Sequence, residues 1–402
     1  MKPETKPETT VTSVLLISGP KRVRITDGKL FVNDSEYEPP ISTGAEGTAP
    51  KKFDPETEGW KMVRAFYNSV ISKPYENVVV LTGAGTSKPS GGKTMNEFWQ
   101  EHFPEEEKAK NDAFFDLISF PIPENDKDKN IEELLSQARN ATRVLKARAD
   151  EVIAKVDNIQ KSVVAACTIS LSGASSHLKF LNKITSKKLK HSRVKVFTLN
   201  YDTLFEQAAA EGNFIVINGF SFTSPSHFNG VYFDYDIVVR DDARVNPIEN
   251  FVKKVFHLYK PHGSINWIKD GTRILAEDIK MASADPVMIY PNSSKYESGY
   301  DQPFFEMMSR FQAALRQRNS LLICIGFSFG DKHFRSVITE AIKTNPGLFL
   351  IIVAPNFASK AEFTDLQSLA QQQNNIMLVS ETFDTFTDHY PFAEAYSHDD
   401  NE

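Results

Sequence analysis

From Arg193 to the C terminus the chain returns repeatedly to short runs rich in β-branched and aromatic residues: VKVFTL, FIVI, KKVFHLY, VMIY, SLLICIGF, LFLIIVA and NIMLVS. Several are apolar at nearly every position and leave no polar face for water. A strand of that kind has to be covered on both sides, the condition met by a parallel sheet wrapped in helices. Segments such as PFFEMMSRFQAALRQ and HFRSVITEAI lie between some of the runs, with the spacing of covering helices. The expected class is therefore α/β: a Rossmann-like, mostly parallel sheet with helices on both faces.

The remainder divides by pattern. Residues 1–20 hold a tandem Lys-Pro-Glu-Thr repeat and then a short apolar run, and are expected to form a disordered polar tail that leads into a strand. Residues 21–59 form a small β appendage, a hairpin turning at Asp27-Gly28 followed by a connector to about Gly59. The main domain spans 60–392, starting with a helix in WKMVRAFYNSVI, and 393–402 form an acidic tail. Within it, about 105–190 is a helical insertion. Asn130 to Glu133 reads as a capping box opening one long run with Leu134, Leu135, Ala138, Leu145, Ala149, Ile153, Val156 and Ile159 on one face. A further helix carries Leu178, Leu181 and Ile184, and its Lys-rich end, KKLKH, reads as a solvated helix C-terminus.

Composition narrows the function classes. A net charge of −6 offers no basic footprint, so direct nucleic-acid binding is not expected. The 30 phenylalanines supply the volume for a substantial core. Two isolated cysteines, Cys167 and Cys324, cannot form a disulfide framework or a cysteine-based zinc site; no metal is expected and the cytoplasm is the expected compartment. The apolar run near the N terminus is too short to span a bilayer, so neither a signal peptide nor a membrane helix is expected.

In a doubly wound sheet, ligands bind beyond the carboxyl ends of the strands. Small or polar residues follow five of the expected strands: TGAGTS after Leu81, TLNYD after Phe197, KPHGSINW after Tyr259, GFSFGD after Ile325 and APN after Val353. One nucleotide site explains all five. The first loop, GAGTSKPSGGKT, imitates two phosphate-binding designs. Gly92-Lys93-Thr94 resembles the end of a P-loop, but Ser87 stands where the first P-loop glycine belongs, and no apolar strand ends directly in a magnesium-binding acid. Gly83-Ala84-Gly85 resembles a dinucleotide turn. The insertion occupies the place of the acidic second strand that a dehydrogenase needs, so the expected ligand is a dinucleotide held by a non-dehydrogenase variant of the fold.

Taken in order, Gly83-Ala84-Gly85-Thr86-Ser87, Thr198-x-Asn200-x-Asp202, His262-Gly263 and Gly326-Phe327-Ser328 resemble the strand-end motifs of the sirtuins, the silent-information-regulator type of NAD-consuming enzyme. The resemblance runs from about Asn77 to the C-terminal strands. It implies that Gly83, Ala84, Gly85, Thr86, Ser87 and Thr198 line the dinucleotide, that Gly326 and Ser328 hold its adenosine side, and that Asn356 edges the adenine. It further implies catalytic roles for Asn200, Asp202 and His262: an amide orienting ribose or water, a carboxylate meeting the nicotinamide carboxamide, and a general base. Two departures stand against protein deacetylation. The four zinc-binding cysteines are missing, and KPSGGKTMNEFW replaces the family's P-D-F-R segment. The chain is more similar to the sirtuin-like domains of bacterial antiphage systems. That implies an NAD glycohydrolase with NAD as substrate and no metal, a homo-oligomer, and a partner such as a HerA-type ATPase.

Plainer readings exist for each residue. An Asn-x-Asp after a strand is a common turn. Ser328 or Asp331 could simply cap the helix that follows, and His262 could close a strand end. Trp267 and Phe329 read as packing, and His257 with His262 is a poor metal signal. At the level of function the alternatives are a silent NAD- or ADP-ribose-binding sensor or scaffold, and a zinc-free deacylase or ADP-ribosyltransferase.

Overall fold

The computed structural model describes residues 12–39, 53–125, 129, 131–145, 148–171, 173, 175–186, 191–240, 250–283, 286–288 and 302–391. Expectations for residues 1–11, the connector at 40–52, Asn130, residues 187–190 of the Lys-rich helix end, the end of VMIY at 289–290, residue 392 and the acidic tail at 393–402 lie outside them. The fold is mixed α/β with mostly parallel core strands and N-terminal antiparallel strands. It comprises two compact units, Met1–Val78 with Leu315–Glu402, and Val79–Ala314.

In the first unit the strands Ser320–Ile325, Leu348–Val353 and Ile376–Val379 run parallel, in register at Ser320↔Leu348 and Leu350↔Ile376. Strand Thr12–Ser18 joins antiparallel at Leu16↔Val379, and the chain then folds outward through Lys21–Thr26, Lys29–Val32 and Ser35–Glu36. The strand expected after the polar repeat is Thr12–Ser18, whose apolar run buries Leu15, Leu16 and Ile17, so the tail ends ahead of the boundary drawn at residue 20. Asp27 and Gly28 both take positive φ, 48° and 75°, as the tight hairpin turn requires. Helix Pro55–Ile71 starts ahead of the expected Trp60, because Asp54 caps it by accepting from the N–H groups of Glu56 and Thr57. It lies so close to the hairpin that a Cβ on Gly59 would meet Leu15 and Leu30 methyls at 3.0 and 3.1 Å. Helices Lys332–Thr344 and Thr364–Gln372 connect the parallel strands.

In the second unit the strand ending at Thr82 pairs with Lys195–Thr198, that strand with Val255–Tyr259, and that one with Ile215–Ile217, all parallel. A small antiparallel sheet of Trp267–Asp270, Arg273–Ala276 and Ser226–His227 accompanies them. The insertion has its own core. Its expected single long run is two helices, Ile131–Thr142 and Ala149–Cys167, separated by a turn at 143–145. The turn resets the helical phase: Val152, Val156, Ile159 and Val163 face inward, whereas Ile153 is 44% exposed. Phe98, Trp99, Phe103, Phe115 and Phe120 fill the space between these helices and helix Met95–His102.

The burial of Leu16 makes a measurable claim. Leu16→Ala is expected to lower the unfolding free energy by about 2–5 kcal/mol in urea titrations. A loss below about 0.5 kcal/mol, the size of a surface substitution, would show Thr12–Ser18 to be a tail in solution.

Candidate active site

The glycine-rich loop leaves its strand as two successive 3-10 turns, Ala84–Thr86 and Lys88–Ser90. Thr86 returns both its N–H and its hydroxyl to the Gly83 carbonyl, at 3.0 and 2.9 Å. Gly91 sits at φ +89°, and a Cβ on Gly92 would lie 2.6 Å from the Ser87 Cβ. Those two glycines therefore serve the turn. Lys93 pairs with Glu101 at 2.6 Å, and Thr94 forms a capping box with Glu97 at the start of Met95–His102. The letters that imitate a P-loop are thus committed to a surface ion pair and a helix cap.

Asn200 joins this loop to the next strand end. Its Nδ2 donates to the Gly83 carbonyl at 3.0 Å, Thr86 Oγ1 at 3.1 Å and Ser87 Oγ at 2.8 Å. A backbone carbonyl can only accept, so the nitrogen of this amide must face Gly83. Asn200 Oδ1 faces the other way and has no protein partner among the described residues. Ser87 passes the connection on by donating from Oγ to Asp202 Oδ2 at 2.6 Å. The other carboxylate oxygen, Oδ1, accepts the N–H of Leu204 at 3.1 Å where helix Leu204–Glu211 begins. Each carboxylate oxygen of the buried Asp202 already holds one protein donor. Thr198 Oγ1 accepts the Asn200 N–H at 3.2 Å and shapes the same turn.

His262 lies half-buried on the third strand end, after Val255–Tyr259. Gly263 follows at φ +90°, and a Cβ there would lie 2.2 Å from the Val287 carbonyl oxygen, so the backbone leaves room only for glycine. Two residues before His262 is a group the sequence reading passed over. Lys260 is 2% exposed; its Nζ donates to the Tyr201 carbonyl at 3.3 Å, to Ser264 Oγ at 2.6 Å and to the Asp202 carbonyl, and pairs with Glu206 Oε1 at 3.1 Å. Ser264 donates onward to Asn266 Oδ1 at 2.7 Å. A lysine directly after a strand buried at every position was the available signal, because such a charge needs a buried partner.

Gly326, Ser328 and Asn356 belong to the other unit. Gly326 takes φ +63° after Ser320–Ile325, Ser328 is exposed, and Asn356 stands at φ +53° after Leu348–Val353. Asp331, not Ser328, caps Lys332–Thr344. Trp267 and Phe329 are packed, against Phe220 and against Phe327 and Phe363. Among the described residues no group of three or more His, Cys, Asp or Glu is placed to hold a metal ion. Burial pushes the Cys167 thiol up to about 12, with the Asp202 carboxylate adding, and burial also raises Cys324, so neither is poised as a thiolate.

His257 is buried on strand Val255–Tyr259, with Nδ1 3.2 Å from the Tyr259 hydroxyl. Burial pushes its pKa down from 6.5 to about 4, aided by Lys195, Arg193 and Arg310 and opposed by Asp236. The unfolded chain binds this proton more readily, so the stabilisation is complete above pH 6.5 and is lost as pH falls toward about 4. Up to roughly 3 kcal/mol is at stake. Urea midpoints measured across that window should fall steeply for the wild type and less so for His257→Phe; parallel curves would remove His257 as the cause.

Residues 194–378 match the family model described as a SIR2-like domain. That span includes the Thr198–Asp202, Lys260–Asn266 and Gly326–Ser328 segments and Asn356, and starts beyond the glycine-rich loop. No curated protein matches the chain. Similar solved structures include Sir2 in complex with the inhibitor EX-527, 2′-O-acetyl-ADP-ribose and deacetylated p53 peptide, at 13% identity over 81% of this chain and 96% of that one, TM-score 0.38. A Sir2–p53 peptide–NAD+ structure is 12% identical over 80% of this chain and 95% of that one, TM-score 0.39. Likeness at this level transfers no chemistry.

Proposed function

We propose that the protein is an NAD glycohydrolase, cleaving NAD to nicotinamide and ADP-ribose. The supporting observation is Asn200, whose amide nitrogen is fixed by three protein acceptors while Oδ1 has no protein donor among the described residues. An acceptor held in that way suits a ribose hydroxyl or an attacking water. Breaking the bond between ribose C1′ and the nicotinamide nitrogen returns the electron pair to the ring, which leaves as neutral nicotinamide. Water then attacks C1′ of the oxocarbenium-like centre and its proton passes to the imidazole of His262 on the neighbouring strand end. Gly83, Ala84, Gly85, Thr86, Ser87 and Thr198 form the wall along the dinucleotide, and Asp202 acts through Ser87. Gly326, Ser328 and Asn356 are proposed for the adenosine side. No metal takes part. The family resemblance alone supports a role as antiphage effector in the cytoplasm, as a homo-oligomer working with a HerA-type ATPase or another defence partner.

Purified protein incubated with NAD should release nicotinamide. Asn200→Ala and His262→Ala should each lower the rate by about 10²–10⁴-fold, the range of a general-base contribution, with the circular dichroism unchanged. Binding of NAD without release, alone or with candidate partners, would instead make the chain a sensor module. Release that survives His262→Ala would remove the assigned base.

A further inference from the structure

Lys260 is a buried charge beside the site that this reading leaves without a task. It joins two strand ends from behind. Its ammonium reaches the backbone carbonyls of Tyr201 and Asp202 in the segment that carries Asn200, and the hydroxyl of Ser264, two residues after His262. The two segments are also sewn together directly, Ile265 N–H donating to the Tyr201 carbonyl at 3.0 Å. Glu206, in the first turn of helix Leu204–Glu211, supplies the counter-charge, and its second oxygen, Oε2, is buried without a partner among the described residues.

A core that needed only stability would do as well with an apolar residue here. Buried ion pairs often give little net stability over apolar residues of similar volume. What an ammonium adds is direction. Its three hydrogens, aimed at carbonyl and hydroxyl oxygens, fix where the two backbone segments stand relative to each other.

Resting on the glycohydrolase reading, we propose that Lys260 is a positioning residue: it sets the distance between Asn200 and His262 and so acts on the chemical step more than on NAD binding. A displacement of about 1 Å is enough to lower a rate by about 10²-fold. Lys260 itself touches no reacting atom.

The test pairs Lys260→Met with the double variant Lys260→Met/Glu206→Gln, which avoids leaving a carboxylate buried beside an apolar chain. Thermal melting, kcat and KM for NAD, and ADP-ribose affinity by calorimetry are measured on wild type and both variants. The expected result for the double variant is a kcat lower by 10-fold or more, KM and ADP-ribose affinity within about threefold, and a folded melting transition. A double variant that melts lower but keeps wild-type kcat overturns the proposal and leaves Lys260 structural. A fall in ADP-ribose affinity matching the fall in kcat/KM overturns it too, because Lys260 would then act on binding. A wild type that binds ADP-ribose yet releases no nicotinamide overturns the glycohydrolase reading instead. The positioning claim is then judged by hydrogen exchange at residues 199–204 and 261–266, where unchanged protection in the folded double variant would reject it.

Discussion

Ser87 donates one hydrogen bond and accepts another, and the candidate site depends on both. Its hydroxyl gives its proton to Asp202 and takes one from Asn200, in surroundings that leave the residue 4% exposed. In such a place an unmade hydrogen bond carries the full desolvation cost of the stranded group, about 1–3 kcal/mol. The three residues therefore hold their arrangement together or lose it together. A glycine at 87 would have completed a P-loop pattern and removed the only atom able to bridge the amide and the carboxylate. One side chain thus both excludes the P-loop and builds the junction between two strand ends.

The insertion supports that junction. Tyr201, between Asn200 and Asp202, and Ile265, three residues after His262, belong to the same apolar cluster as Trp99, Phe115, Leu134 and Val152. The long apolar face of the insertion is consequently filled by its own chain: Leu134, Ala138, Val152 and Ile159 are fully buried. Apolar periodicity by itself is compatible with using that face as an assembly surface or as a cover for the site. Its packing makes it a buttress, and any assembly has to use other residues. Close packing transmits small displacements, so a cavity opened at Phe115 or Leu134 reaches the Asn200 turn through Tyr201.

Legibility followed the range of the interactions. Strands apolar on every side, such as Ser320–Ile325, could be read because their composition alone demands cover. The Asp27-Gly28 turn could be read because it is settled within two residues. The break at 143–145 could not, since Arg143-Val144-Leu145 carries neither proline nor glycine and only packing resets the helix. Thr12–Ser18 could be read as a strand from its apolar run, but its antiparallel pairing with Val379 and Leu378, more than 350 positions away, could not. The small sheet around Trp267–Asp270 was announced by Asp270-Gly271, a hairpin signal as plain as the one at residue 27. In the site, the motif residues were visible one by one. Their division of labour was not, because Lys260 and its partner Glu206 stand more than fifty positions apart.

That pairing bears on the electrostatics of the proposed reaction. The connected buried cluster contains one cation, Lys260, and two carboxylates, Glu206 and Asp202, so its formal charge is +1 − 2 = −1. A fixed negative charge in a low-dielectric setting opposes bringing in a further anion and favours a cation that develops nearby. Cleavage moves the positive charge of the nicotinamide ring onto the ribose as neutral nicotinamide departs, and an excess of one carboxylate near the ribose favours a cation that develops there. A site meant chiefly to cradle pyrophosphate would want the opposite sign. The charge behind Asn200 is therefore more consistent with breaking the glycosidic bond than with passive storage of the dinucleotide.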